Sequence, residues 1–145
     1  MTLEILLVDD SEAFADLLRR ALSDAVLNDH LHFVRNGAEA MLYLEGKEPS
    51  ANVTQHPRPD FVLLDLYMPV MDGFELIKAV RMNPRLTRLP LHAWSGAARQ
   101  ADIDRAYALG ATSFMLKPGT LEGMQQTLLR LHRLHEIASL PPKSA

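Results

Sequence analysis

The sequence predicts a doubly wound α/β fold on a five-stranded parallel sheet of order 2-1-3-4-5. Three observations support it. A short apolar run followed by a helix-period segment recurs five times, and such alternation implies parallel strands joined by right-handed crossovers. The strongest runs are apolar throughout rather than alternating, as in strands covered on both faces. At 145 residues the chain is one domain long, whereas a closed barrel needs about eight units and roughly 200 residues or more.

The first strand is Ile5-Leu6-Leu7-Val8, ending in Asp9-Asp10. Phe14, Leu17, Leu18, Ala21, Leu22 and Ala25 then repeat at helical spacing, with Ser11 as N-cap. A weaker strand spans Leu31 to Arg35, and Asn36-Gly37 leads into a short helix carrying Ala38, Met41, Leu42 and Leu44. Gly46 to Pro59 holds three prolines and reads as a long loop. The third strand, Phe61-Val62-Leu63-Leu64-Asp65, is followed by the turn-rich Met68 to Gly73 and a helix from Phe74 to Met82. Strand four runs from Leu89 to Trp94, and helix four from Arg99 to Leu109 with Gly110 as its C-terminal cap. Strand five is Ser113 to Leu116, and a last helix covers Thr120 to Ile137 before Pro141-Pro142 stops it.

A net charge of −3 gives no basic field, so nucleic acid is not an expected partner. No apolar segment approaches the ~20 residues that span a bilayer, and the N-terminus lacks a signal-peptide pattern. The absence of cysteine removes thiol catalysis and disulfides, and it fits a cytoplasmic protein.

Polar residues stand where four of the strands end: Asp9 and Asp10, Asp65, Ser95 and Lys117. Parallel strands put those ends on one rim, near the switch point between strands one and three where such sheets bind ligands. Three carboxylates within about 4 Å repel by ~1 to 4 kcal/mol per pair. A hard divalent cation offsets that repulsion, and Mg²⁺ takes carboxylate oxygens while keeping water and phosphate ligands. Three acids, a lysine and a hydroxyl suit metal-assisted phosphoryl transfer, with one carboxylate as nucleophile. Each residue alone has a plainer reading: Asp9 and Asp10 as helix caps, Asp65 as a structural strand-end acid. Their conjunction at the matching strand ends favours the functional one.

Val8-Asp9-Asp10-Ser11, Asp65 to Gly73, Trp94-Ser95-Gly96 and Phe114 to Pro118 together resemble the motifs of two-component response-regulator receiver domains, over nearly the whole chain. The resemblance implies the flavodoxin-like receiver fold, with Asp65 as phosphoacceptor and Mg²⁺ as cofactor. Asp10 would ligate the metal directly, Asp9 largely through water, and the main-chain carbonyl of Tyr67 would add a ligand. It further implies Ser95 as the switch hydroxyl, Phe114 as the aromatic rotamer switch, and Lys117 joined to Pro118 by a cis bond. A sensor histidine kinase would be the phosphoryl donor. The face of helix four, strand five and helix five would then carry the signal by protein contact, with no enzymatic activity beyond the domain's own phosphorylation and dephosphorylation. The expected limits are a stand-alone receiver domain over residues 1–138 and a flexible tail over 139–145.

Tyr67 is bulkier than the residues usual two after the acceptor, which predicts slow self-dephosphorylation. Trp94 reads as a strand residue packed against a helix. The Gly46 to Pro59 loop and Asn83 to Pro90 resemble regulators paired with phytochrome-type kinases. The last helix carries Leu121, Met124, Leu128 and Leu131 toward the sheet, and the surplus Leu129, Leu134 and Ile137 predict a homodimer contact through this helix. His132 and His135, three apart, read as solvated surface residues.

Three other functions fit less well. A haloacid-dehalogenase-type phosphatase wants a second acid where Tyr67 stands. A flavin module would meet two acids where it needs a phosphate loop. A scaffold that keeps the fold without signalling leaves the complete polar set unexplained.

Overall fold

The computed structural model describes residues 2–24, 27–47, 56–97 and 99–137. Its elements are β1 (Glu4–Val8), α1 (Glu12–Asp24), β2 (His30–Val34), α2 (Gly37–Leu44), β3 (Phe61–Asp65), α3 (Gly73–Met82), β4 (Leu91–Ser95), α4 (Gln100–Leu109), β5 (Ser113–Leu116) and α5 (Leu121–Ile137). The strands form one sheet of order β2-β1-β3-β4-β5, every pair parallel, as expected. Among the described residues no helix is long and apolar enough to cross a membrane.

Successive strand residues point to opposite faces, and the continuous apolar runs therefore feed two cores. Leu6, Val8, Val62, Leu64, Leu91 and Ala93 pack with α2, α3 and α4. Ile5, Leu7, Phe61, Leu63 and Trp94 pack with α1 and α5. Trp94 lies edge-on to Phe14 of α1, with ring centroids 5.1 Å apart, which is the helix contact its position predicts. The stripe Met124, Leu128 and Leu131 of α5 is buried, while Leu129, Leu134 and Ile137 remain exposed.

Local chemistry sets the element ends. Ser11 Oγ accepts from Phe14 N at 3.1 Å and caps α1. Asp72 begins α3 with a capping box, its side chain accepting from Glu75 N while Glu75 reaches back to Asp72 N. Gly110 closes α4 at φ 113, the left-handed region expected of it. Strand four starts at Leu91 rather than Leu89, because Leu89 N bonds Leu86 O in a turn and Pro90 has no N–H to give. Most of the Gly46 to Pro59 loop, the expected last residue of helix one (Ala25) and the tail lie outside the described residues.

Gly73 is demanded by close approach. A Cβ there would meet Asp65 O at 2.2 Å and Leu66 Cα at 2.8 Å, both backbone atoms that cannot swing aside. Gly73→Ala should therefore cost roughly 2 kcal/mol or more in a denaturant titration. An unchanged midpoint would mean that α3 does not press on the end of β3.

The histidines of α5 correct the sequence reading. His132 is buried, and its Nδ1 pairs with Asp29 Oδ2 at 2.7 Å. His135 stacks on Phe61, and its Nε2 lies 3.0 Å from Nε2 of the buried His92. Positions 128, 132 and 135 share one helical stripe, so both histidines continue the sheet-facing side, His132 buried and His135 partly so. The His92–His135 bond needs one ring nitrogen free of a proton. Burial pushes His92 down to about 4, with His135 adding to the effect. The folded state thus binds fewer protons than the unfolded one between pH ~6.5 and that value, and stability falls as pH drops through this window. His92→Gln should flatten that dependence in pH-resolved thermal melts.

Candidate functional site

The strand register places the polar residues level with one another. Val8 pairs with Leu64 and Asp65 with Trp94, so Asp9, Asp65 and Ser95 emerge together at the carboxyl rim. Ser95 pairs with Leu116, and Lys117 N donates to Ser95 O at 2.8 Å. The expected convergence of Asp9, Asp10, Asp65, Ser95 and Lys117 on this rim is therefore present.

Carboxylate oxygens of Asp9, Asp10 and Asp65 lie within 4.8 Å of one another. Asp9 is fully buried and Asp65 nearly so, while Asp10 is exposed. Lys117 reaches across with Nζ 2.7 Å from Asp9 Oδ2 and 3.5 Å from Asp65 Oδ2. Asp9 Oδ1 meanwhile accepts from Ser11 N at 2.9 Å, so the acid serves the start of α1 as well as the lysine. Burial pushes the Asp65 carboxyl above the ordinary carboxylate range. The Lys117 charge opposes that rise and the Asp9 charge adds to it, and the Leu66 N–H also favours ionisation. Oxygen-only donors of this charge are the set a hard divalent cation selects.

The remaining expected residues lie on β4, on β5 and in the loop after β3. Ser95 is mostly buried, and its Oγ accepts from Ala97 N at 3.3 Å. Phe114 is half-buried against the α3–α4 core, and its N–H donates to the Tyr107 hydroxyl at 3.0 Å. Tyr67 exposes about half its surface, at 52%. Its hydroxyl bonds Asp102 of α4 at 2.6 Å, and its ring lies edge-on to Phe74 at 5.7 Å. The loop from β3 to α3 is tied down by Gly73 N to Leu66 O and Gly37 N to Met71 O, both 2.9 Å. The cis bond expected between Lys117 and Pro118 is not present, since every described peptide bond is trans. The trans form of an X–Pro bond is favoured by about 0.5 to 1 kcal/mol unless contacts override it, and Lys117 still reaches Asp9.

Two residues at this rim escaped the sequence reading. Phe14 was legible only as a core position, yet its ring centroid lies 4.6 Å from Lys117 Nζ. Asp102 looks like an ordinary first-turn acid of α4, and nothing in its spacing points to Tyr67.

The family model of the response regulator receiver domain matches residues 5–129, most of the chain. The chain belongs to that family. This receiver is 31% identical over 120 residues to response regulator Rcp1 of Synechocystis, spanning 83% of this chain and 80% of that protein. The phosphorylated cyanobacterial phytochrome response regulator RcpA superposes with a TM-score of 0.82 at 31% identity, covering 98% of this receiver and 100% of that chain. The Mn²⁺-bound form of response regulator Rcp1 gives a TM-score of 0.79 at 28% identity, covering 97% and 99%. The receiver is thus related to phytochrome response regulators, and its acid cluster fits the divalent metal binding typical of its family.

Proposed function

We propose that this receiver accepts a phosphoryl group onto Asp65 from a sensor histidine kinase, with Mg²⁺ held by Asp9, Asp10, Asp65 and the main-chain carbonyl of Tyr67. The observation that carries the reading is the Lys117 ammonium standing 2.7 Å from Asp9 and 3.5 Å from Asp65, which joins the ends of β1, β3 and β5 in one polar hollow.

An Asp65 oxygen attacks phosphorus, the P–N bond to the kinase histidine breaks, and the imidazole leaves with the electron pair and gains a proton elsewhere. Mg²⁺, when bound, supplies charge neutralisation and orients phosphoryl oxygens. Lys117 and Ser95 donate to those oxygens, a role supported by their positions at the same carboxyl rim as Asp65. Drawing Ser95 inward opens space into which the Phe114 ring turns. The surface of α4, β5 and α5 carries the result to a partner by contact, and Tyr107 and Leu116 are exposed on it. The exposed Leu129, Leu134 and Ile137 support a homodimer through α5, which light scattering with and without phosphodonor tests. The names of the relatives support a phytochrome-type kinase as donor, and membership of the receiver family supports a cytoplasmic setting.

Tyr67, held by Asp102 and Phe74 two residues beyond the acceptor, limits the approach of water to the acyl phosphate. Tyr67→Asn should shorten the phosphoryl lifetime several-fold in a label-decay assay, and an unchanged lifetime removes this role. The function itself is tested by incubating the receiver with labelled phosphorylated histidine kinases, phytochrome-type among them. Label should move to the receiver in Mg²⁺ and stay on the kinase in EDTA. Failure to accept label from any donor, including a small acyl phosphate, would overturn the assignment.

A further inference from the structure

We propose that Phe14 is a positioning residue for Lys117, its ring fixing the ammonium beside Asp65, a role that rests on the phosphoacceptor reading above. The ammonium has Asp9 Oδ2 at 2.7 Å on one side and Asp65 Oδ2 at 3.5 Å on another. The Phe14 ring covers it too, its centroid 4.6 Å from Nζ, within the range of a cation–π contact. The Lys117 side chain is only 18% exposed, so this attraction acts in a partly desolvated place.

The ring is itself held. Trp94, fully buried on β4, stands against it at 5.1 Å with an interplanar angle of 81°. The backbone of Phe14 is anchored as well, because its N–H bonds Ser11 Oγ, and Ser11 N bonds Asp9 Oδ1. The first turn of α1, the buried acid and the lysine thus form one unit, backed by the residue just before Ser95. A lysine on four rotatable bonds pays heavily in rotamer freedom to keep one pose. A fixed aromatic wall lowers that cost before the phosphoryl donor arrives.

The test compares Phe14→Leu, which keeps an apolar side chain, with Phe14→Tyr, which keeps the ring face. Phosphorylation by a saturating small acyl phosphate in Mg²⁺ is followed well below the unfolding temperature of each protein. Phe14→Leu should react roughly 3- to 10-fold more slowly at saturation, and Phe14→Tyr should restore the rate. In parallel, NMR of the Lys117 side chain should show a ring-current displacement in the parent and in Phe14→Tyr that vanishes in Phe14→Leu. Equal rates in all three proteins, or equal slowing in both variants, would overturn the role. A parent that takes no phosphoryl group would instead sink the phosphoacceptor reading, while the ring-current displacement would still support the placement of Lys117 by Phe14.

Discussion

Asp65→Asn should take up no phosphoryl label, and it should unfold at a higher temperature than the parent protein. The loss follows because an amide oxygen is a poor nucleophile toward phosphorus. The gain in stability follows from the cost of the charge. Burial and the Asp9 carboxylate raise the Asp65 carboxyl above its ordinary range despite Lys117. A raised carboxyl binds more protons folded than unfolded, so folding stability declines as pH climbs through that interval. An ionised Asp65 is a liability to the fold, and a neutral side chain of the same shape removes it. Lys117 loses little, since its closer partner is Asp9 at 2.7 Å. Melts in EDTA across acidic and neutral pH check this: the two proteins should converge as the medium becomes acidic. Label retained by the variant would show that another residue is the acceptor, and a lower midpoint at neutral pH would show that Asp65 is not strained by its neighbours.

Lys117→Met should be the most destabilising single change at the rim. Asp9 is fully buried, and its Oδ2 has the lysine as its cation at 2.7 Å. Removing one partner of a buried pair costs about 3 to 5 kcal/mol, because the other charge stays buried without it. Here Asp65 and Asp10 stand close enough to add repulsion. Urea unfolding in EDTA should show a loss of that size. Adding Mg²⁺ should recover part of it, and should stabilise the variant more than the parent, because the metal takes over the missing positive charge. If Lys117 has the proposed role of donor to the phosphoryl oxygens, the variant should also take up label far more slowly. A variant as stable as its parent in EDTA would place the lysine outside the acid cluster.

The architecture was readable where both faces of a strand are buried. β1 and β3 are apolar runs with nothing else to be, and their order follows from parallel crossovers. The rim residues were readable for the same reason: once strands are parallel, their ends must meet. Pattern alone failed where polar side chains occupy inward positions. His132 and His135 sit on the sheet-facing stripe of α5, but their polarity suggested solvent, and partners far along the chain, Asp29 for the one and Phe61 and His92 for the other, explain their placement. The start of β4 moved because Pro90 disrupts a run that looks continuous. Phe14 and Asp102 could not be found from spacing, since each acts on a residue far along the chain, Lys117 and Tyr67. Such contacts depend on how helices dock on the sheet, which periodicity does not specify.

The proposed cation hollow is best tested by anomalous scattering from crystals of the receiver soaked in Mn²⁺. A single strong peak is expected at the carboxyl rim, within direct coordination distance of both Asp10 and Asp65 and of the Tyr67 carbonyl oxygen, with Lys117 still beside Asp65. A peak bound elsewhere, or none at concentrations that saturate oxygen-ligand sites, would contradict the idea that these distant strand ends build one metal-dependent phosphoacceptor centre.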